Sequence, residues 1–278
     1  MNPPIAILTD FGSHDPYVGV MKGVIAGINP QAALIDLNNQ IPPGDVQRAA
    51  ISLWQSLNYF PKGTIFLAVV DPGVGTRRRP LIIQANDRIF VGPDNGVFSF
   101  VLGENAQAWE LTNPTLMLQN PGNTFHGRDI FAPAAAHASL GIHGPEFGAT
   151  VPDVELIPAP RLASPAPGVL RADILHADHF GNLLTSLGKF DHIENELWRF
   201  RPWVGEAPSQ TFDASRSFVE LPDGEQLPWA WTFGEIPPNE CAALVGSSGL
   251  IEIVANRQRA AEMLELSDGE MVVLKSAE

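Results

Sequence analysis

The sequence predicts a three-layer α/β domain with a mostly parallel sheet, followed by a smaller β-barrel domain. Three observations carry that expectation. Apolar runs alternate with amphipathic stretches from residue 4 to residue 70, as strands and crossover helices alternate around a parallel sheet. Five prolines fall between Val151 and Gly168, at 152, 158, 160, 165 and 167, where apolar periodicity lapses. Beyond them come short strand-like runs broken by Gly, Pro, Asp and Asn, the pattern of small barrels. The expected domains are 1–165 and 166–278.

Residues 4–9 (PIAILT) are a continuous apolar run ending in Asp10-Phe11-Gly12, as a buried strand opens into a loop. Asp15 is placed to cap the helix that follows and Pro16 suits its first turn, while Tyr17, Met21, Val24, Ile25 and Ile28 repeat at helical spacing. A second strand is expected over Ala33–Leu37. Asp45, Val46, Ala49, Ala50, Leu53 and Leu57 lay out a second amphipathic helix, and Thr64–Val70 a third strand. Further on, Arg88–Val91 reads as a strand, 92–96 as a turn and Asp129–Leu140 as a helix. In the second domain strands are expected at Val169–Leu175, Ala242–Val245, Leu250–Val254 and Met271–Leu274, with a helical signal at Gln258–Leu266.

Composition excludes several classes of function. The 278 residues hold 17 Lys+Arg against 31 Asp+Glu, a net charge of −14, which argues against nucleic acid as a partner. Hydrophobic residues at 45% and charged residues at 17% are too apolar and too weakly charged for a disordered chain. The single cysteine, Cys241, excludes an internal disulfide and any Cys-rich metal site, and fits a cytoplasmic setting. No Lys or Arg precedes Lys22, so a signal peptide is not expected. No apolar stretch approaches the ~18 residues of a membrane span, so no membrane association is expected.

Ligands of open α/β sheets bind beyond the C-terminal strand ends, and two acidic loops fall there: Asp10, and Asp71-Pro72-Gly73-Val74-Gly75-Thr76 followed by Arg77, Arg78 and Arg79. The residues leave two readings of this second loop open. One is a tight turn followed by a basic edge before the next strand. The other makes Asp71 an ionised carboxylate partnered by one inward arginine. Its glycines match neither a Walker loop nor a complete GxGxxG motif. In Asn123-Thr124-Phe125-His126-Gly127-Arg128-Asp129, Thr124 or Asp129 could cap the next helix, or His126 could serve a site near neutral pH. A metal site from His126, Asp129 and His137 or His143 lacks a recognisable ligand spacing. His176-Ala177-Asp178-His179-Phe180-Gly181-Asn182 reads as a local hydrogen-bonded turn, or as Asp178 holding an ammonium with Phe180 and Asn182 around a base. A last group comprises 231–236, Ser247-Ser248-Gly249 and Asn256, where Phe233 is equally consistent with a core residue.

Together the motifs LTDFG (8–12), VVDPGVG (69–75), GPDNG (92–96), NTFHGRDIFAPAAAH (123–137), DHFGN (178–182), TFGE (232–235) and GSSGLIEIVAN (246–256) resemble the S-adenosyl-L-methionine hydrolases, also called hydroxide adenosyltransferases. These are relatives of the fluorinase and chlorinase enzymes. The match runs in order along nearly the whole chain. The resemblance implies an N-terminal α/β domain, a C-terminal β-barrel, and a homotrimer with sites between neighbouring subunits. It also implies hydrolysis of S-adenosyl-L-methionine to adenosine and methionine, with no cofactor and no metal.

The family's hydrolytic Asp, Arg and His fall on Asp71, Arg78 and His126, and Arg77 and Arg79 would then point outward. The resemblance carries Asp10 onto the ribose hydroxyls, Asp178 onto the methionine ammonium, Asn182 onto the adenine edge and Phe180 and Phe233 onto the adenine faces. Ser247 and Ser248 fall to the methionine carboxylate, with Asn256 grouped among the substrate contacts. The fluorinase differs by a Tyr at the position of Asp71, a Ser at Gly127 and an arginine near Ser248. A fixed carboxylate at Asp71 would repel a halide, so water is the expected nucleophile. A halogenase and a non-catalytic S-adenosylmethionine or adenosine binder are the competing readings.

Overall fold

The computed structural model describes residues 3–277. The chain divides into two compact units, one ending at Ile157 and one beginning at Pro158. The strand Leu162–Ala166 pairs with Val169–Ala177 and belongs to the second unit, ahead of the change of character expected after residue 165.

The first unit holds strands β1 (Ile5–Thr9), β2 (Leu34–Asn38), β3 (Ile65–Val69), β4 (Pro80–Ala85), β5 (Arg88–Pro93), β6 (Gln107–Glu110) and β7 (Thr150–Val151), in the sheet order β2-β1-β3-β5-β4-β6-β7. Its helices are α1 (Tyr17–Ile28), α2 (Val46–Ser56), α3 (Ala132–Ser139) and α4 (Gly144–Phe147). Successive side chains of a strand face opposite ways, and here both ways are covered. Ile5, Ile7, Ile65 and Leu67 meet Met21 and Ile25 of α1 and Ala134, Ala135 and Ala138 of α3. Ala6, Leu8, Phe66 and Ala68 meet Ala49 and Leu53 of α2 with Val97 and Phe98. Burying one such Leu or Phe contributes about 1.5–3 kcal/mol.

Only half of this sheet is parallel. β2, β1, β3 and β5 run parallel, whereas β4, β6 and β7 join antiparallel. The reversal comes from a two-residue hairpin at Asn86-Asp87, both with positive φ (51° and 57°), the backbone of a tight type I′ connection. The expected cap of α1 also differs. Pro16 occupies the cap position with no side-chain hydrogen bond, so Asp15 lies one residue too early. Asp45 does cap α2, accepting from Arg48 N at 2.9 Å. The helix expected from Asp129 starts as a π turn, Gly127–Phe131, before continuing as α3.

The second unit contains β8 (Leu162–Ala166), β9 (Val169–Ala177), β10 (Leu183–Gly188), β11 (Phe190–Glu194), β12 (Leu197–Phe200), β13 (Gln210–Asp213), β14 (Ser217–Glu220), β15 (Gln226–Pro228), β16 (Cys241–Val245), β17 (Leu250–Ala255), α5 (Ala260–Leu264) and β18 (Met271–Ser276). One antiparallel sheet runs β15-β14-β18-β9-β10-β17-β16, with β8 beside β9 and a separate β11-β12-β13 sheet. A bridge between Trp229 and Ala243, with Ala230 N donating to Ala243 O at 2.8 Å, nearly closes the long sheet into a barrel. Leu170, Ala172, Leu183, Leu187, Val219, Ile251, Ile253 and Leu274 are in its core. No described helix is long and apolar enough to cross a membrane.

Candidate active site

Parallel pairing of β1 with β3 puts Asp10 and Asp71 at one edge of the first unit's sheet, just past the C-terminal strand ends. After Asp71 the chain folds back on itself: Val74 N donates to Asp71 O at 3.2 Å and Thr76 Oγ1 to Gly73 O at 2.7 Å. That turn aims Arg78 at Asp71. Arg78 Nε donates to Asp71 Oδ1 at 2.9 Å and Nη2 to Oδ2, a bidentate fork that fixes both planes. The side chains are 9% and 5% exposed, so solvent screens this pair little. Arg78 also lies 5.2 Å over the Phe131 ring.

The same Nη2 is 2.7 Å from His126 Nδ1. A guanidinium only donates, so Nδ1 accepts and the imidazole is neutral with its proton on Nε2. Burial, first, and the Arg78 charge, second, push His126 below its ordinary value, while Asp71, Asp129 and a hydrogen bond with the Gly122 backbone partly oppose them. Arg78 Nη1 is buried and has no hydrogen-bond partner among the described residues, which leaves one charged donor for an oxygen atom of a ligand.

Two backbone features bring His126 to this pair. Asp129, 3% exposed, accepts from Gly122 N at 2.9 Å and from Arg128 Nε at 2.6 Å, anchoring the segment that leads to His126. Gly75 has φ 75°, and a Cβ there would stand 2.5 Å from Asn123 O, so the two loops meet backbone to backbone. Gly127 is less tightly confined: a Cβ would meet only side-chain atoms, of Phe125 at 3.1 Å, Met21 (Sδ) at 3.2 Å and Phe11 at 3.4 Å. Among the described residues no group of three or more His, Cys, Asp or Glu side chains is placed to hold a metal ion.

Arg77 is exposed, but Arg79 is not turned outward as expected. Its Nε donates to the buried Asp94 at 2.7 Å, and it also reaches Asp153. β4 begins only at Pro80, so strand alternation does not govern the residues before it. Asp10 accepts from Gly44 N at 2.8 Å through Oδ2. Nearby, Phe11, Tyr17 and Phe125 pack edge to face or tilted with centroids 5.3–5.8 Å apart, and with Thr124 and Arg128 they line a hollow of about 360 Å³. The sequence reading missed this cluster, whose signal was a phenylalanine beside Asp10 and another beside His126.

In the second unit a cavity of about 900 Å³ gathers Asp178, Phe180, Asn182, Phe233 and Ser247. Asp178 accepts from Phe180 N and Asn182 N at 2.8 Å and from Asn182 Nδ2 at 2.9 Å, so the local turn is real and also orients the carboxylate. Phe180 and Phe233 are 72% and 45% exposed, aromatic faces held free at the cavity. Ser248 does not line it, its hydroxyl being buried without a hydrogen-bond partner among the described residues. Asn256 does not line it either: its amide donates to Ile236 O at 2.6 Å and holds the loop. Sequence reasoning missed Glu252, a cavity residue whose carboxyl is pushed up to about 7 by burial and by the neighbouring Asp178.

Two sequence-family models match the chain: the SAM hydroxide adenosyltransferase N-terminal domain over residues 5–148 and the corresponding C-terminal domain over 172–273. An (R)-S-adenosyl-L-methionine hydrolase of Thermus thermophilus is 39% identical, with 96% of this chain and 97% of that protein covered. One from Salinispora arenicola is 36% identical, with 97% of each covered. A fluorinase of Nocardia brasiliensis is 25% identical, with 98% and 97% covered. The crystal structure of an uncharacterized conserved protein from Thermotoga maritima superposes with a TM-score of 0.83 at 29% identity, covering 98% of this chain and 99% of that one.

Proposed function

The chain belongs to the SAM hydroxide adenosyltransferase family, and on that premise we propose that it hydrolyses S-adenosyl-L-methionine to adenosine and L-methionine. Water attacks the ribose 5′ carbon in line with the departing sulfur. The new C–O bond forms as C5′–S breaks, the bonding pair leaves on sulfur to give the neutral thioether, and the water proton passes to the protein. The observation that carries this reading is the buried Asp71–Arg78 fork with His126 against it. Arg78 Nη1 is free to donate to the attacking oxygen. Asp71 keeps lone pairs beyond those the fork uses, and it is the proton acceptor, because His126 Nδ1 is already committed to Arg78. No metal or cofactor enters the step.

A halide taking the water's place would meet the Asp71 charge in poorly screened surroundings, at a cost of several kcal/mol, about what the Coulomb law gives for close charges. The test is incubation with S-adenosyl-L-methionine in EDTA and halide-free buffer, followed by chromatography. Adenosine and methionine in equal amounts are expected; a halogenated nucleoside appearing only with added chloride overturns the reading.

Three further expectations arise here. Asp10→Ala should raise the Kd for substrate by roughly tenfold, the loss of a charge-assisted contact to hydroxyls, with kcat changed less, as measured by equilibrium binding beside saturating kinetics. Because His126 must stay neutral to accept from Arg78, kcat should be flat above neutral pH and fall on acidification, with its midpoint below the ordinary histidine range. A midpoint above that range would remove the assigned tautomer. The reading also includes a cytoplasmic homotrimer whose sites draw on two subunits. Co-expressed Asp71→Ala and Asp178→Ala chains should then regain part of the activity that each lacks alone, and full inactivity of the mixture would count against shared sites.

A further inference from the structure

The mechanism above makes no use of Glu252, yet its placement is unusual for a strand residue. It sits on β17 directly across from Leu184 of β10 and Leu244 of β16, so it shares a face with apolar neighbours on both sides. Its carboxyl lies over the backbone of Gly246, where a Cβ would fall 1.8 Å from Oε1. Only a residue without a side chain leaves that space. No donor or cation of the described protein is bonded to this carboxyl, in contrast to Asp178, which accepts three hydrogen bonds. Both carboxylates line the same cavity.

The other charges there are elsewhere engaged or on the rim. Arg259 pairs with Glu262 at 2.6 Å and donates to His179 O at 2.8 Å, and Arg257 is exposed beyond the end of β17. The elements that pack on Glu252, namely β10, β16 and the turn at Gly246, bring no charged side chain to it; Asp178 is the charge that acts on it. Two carboxylates in one partly dehydrated cavity repel one another, and a cation placed between them removes that repulsion.

We propose that Glu252 is a second anionic ligand for the ammonium group at the amino-acid end of the substrate, shared with Asp178. This rests on the reading that S-adenosyl-L-methionine is the ligand. It has a consequence that a merely structural glutamate lacks. Burial and Asp178 hold the free carboxyl near 7, so a bound ammonium ionises it and a proton leaves with binding.

The test is calorimetric titration of S-adenosyl-L-methionine into the Asp71→Ala protein, in which turnover is suppressed, using two buffers of different ionisation enthalpy. About half a proton should be released at pH 7, more toward pH 6 and little at pH 8.5, with affinity rising from pH 6 to 8 and then levelling. Adding Glu252→Gln should abolish the release and raise Kd at pH 8 roughly five- to tenfold, as a charge-assisted contact becomes a neutral one. Gly246→Ala, which displaces the carboxyl without removing it, should act in the same direction. Binding without proton release at pH 7, or unchanged affinity in Glu252→Gln at pH 8, overturns the proposal while leaving hydrolysis intact. Failure of the unaltered protein to cleave S-adenosyl-L-methionine, together with failure of the Asp71→Ala protein to bind it, is the distinct result that removes the functional reading itself and the proposal with it.

Discussion

Asp71→Ala is expected to lower kcat by roughly 10²–10⁴, the range spanned by loss of a positioned general base, while substrate affinity stays within a fewfold. Asp71 accepts both prongs of the Arg78 fork and is 5% exposed, while Arg78 already engages His126 Nδ1, which is why Asp71 is the proposed base at that place. The same change strands a buried guanidinium, and breaking a buried pair from one side costs about 3–5 kcal/mol. Thermal unfolding must therefore be measured beside kinetics. Asp71→Asn separates the two effects, since its amide oxygen still accepts from Arg78 but is a far weaker base. Single-turnover rates on bound substrate should fall in both variants. A normal rate in Asp71→Asn would assign the proton to another group.

Gly75→Ala is the second large expected effect, and it needs no change to any charged residue. The position combines φ 75° with an approach that would put Cβ 2.5 Å from the Asn123 carbonyl oxygen. Alanine is strained in that conformation, and the opposing atom is backbone, which cannot swing aside as a side-chain end can. Relief requires the Asp71–Thr76 turn to part from the segment leading to His126. The 2.7 Å contact between Arg78 and His126 should then lengthen, with kcat reduced at least tenfold and stability lowered by about 1–3 kcal/mol. Unaltered kcat would show that this loop contact does not govern the arrangement.

The first unit was legible where local pattern and topology agree. β1, α1, β2, α2 and β3 fall within a residue or two of the expected spans, because the buried β1 and β3 write themselves as continuous apolar runs and the helices between the strands as helical spacing. The antiparallel half was hidden. Its reversal is made by Asn86-Asp87, not the Asn-Gly or Asp-Gly pair that advertises a hairpin, so the strand expected after the three arginines gave no sign of its direction. Arg78 could be separated from Arg77 and Arg79 by resemblance but not by alternation, since the turn at Gly73 and Thr76 decides which arginine faces Asp71. Asp129 was read as a cap or a metal ligand and instead ties down a loop. Glu252 escaped notice because Leu250–Ala255 shows one acid in an apolar strand, the ordinary signature of a solvent-facing position. Only the space above Gly246 and the proximity of Asp178 reveal its surroundings.

The crowding around Gly127 bears on how the fold can change its chemistry. Phe125, Met21 and Phe11 stand 3.1–3.4 Å from where a first side-chain carbon would sit, each by the end of a side chain, so a hydroxyl-bearing residue fits at this point only if those ends give way by a few tenths of an ångström. Exchanging one nucleophile for another therefore depends on the wall as well as on the charge, and a change at position 127 is felt first by the aromatic and thioether ends of Phe11, Phe125 and Met21.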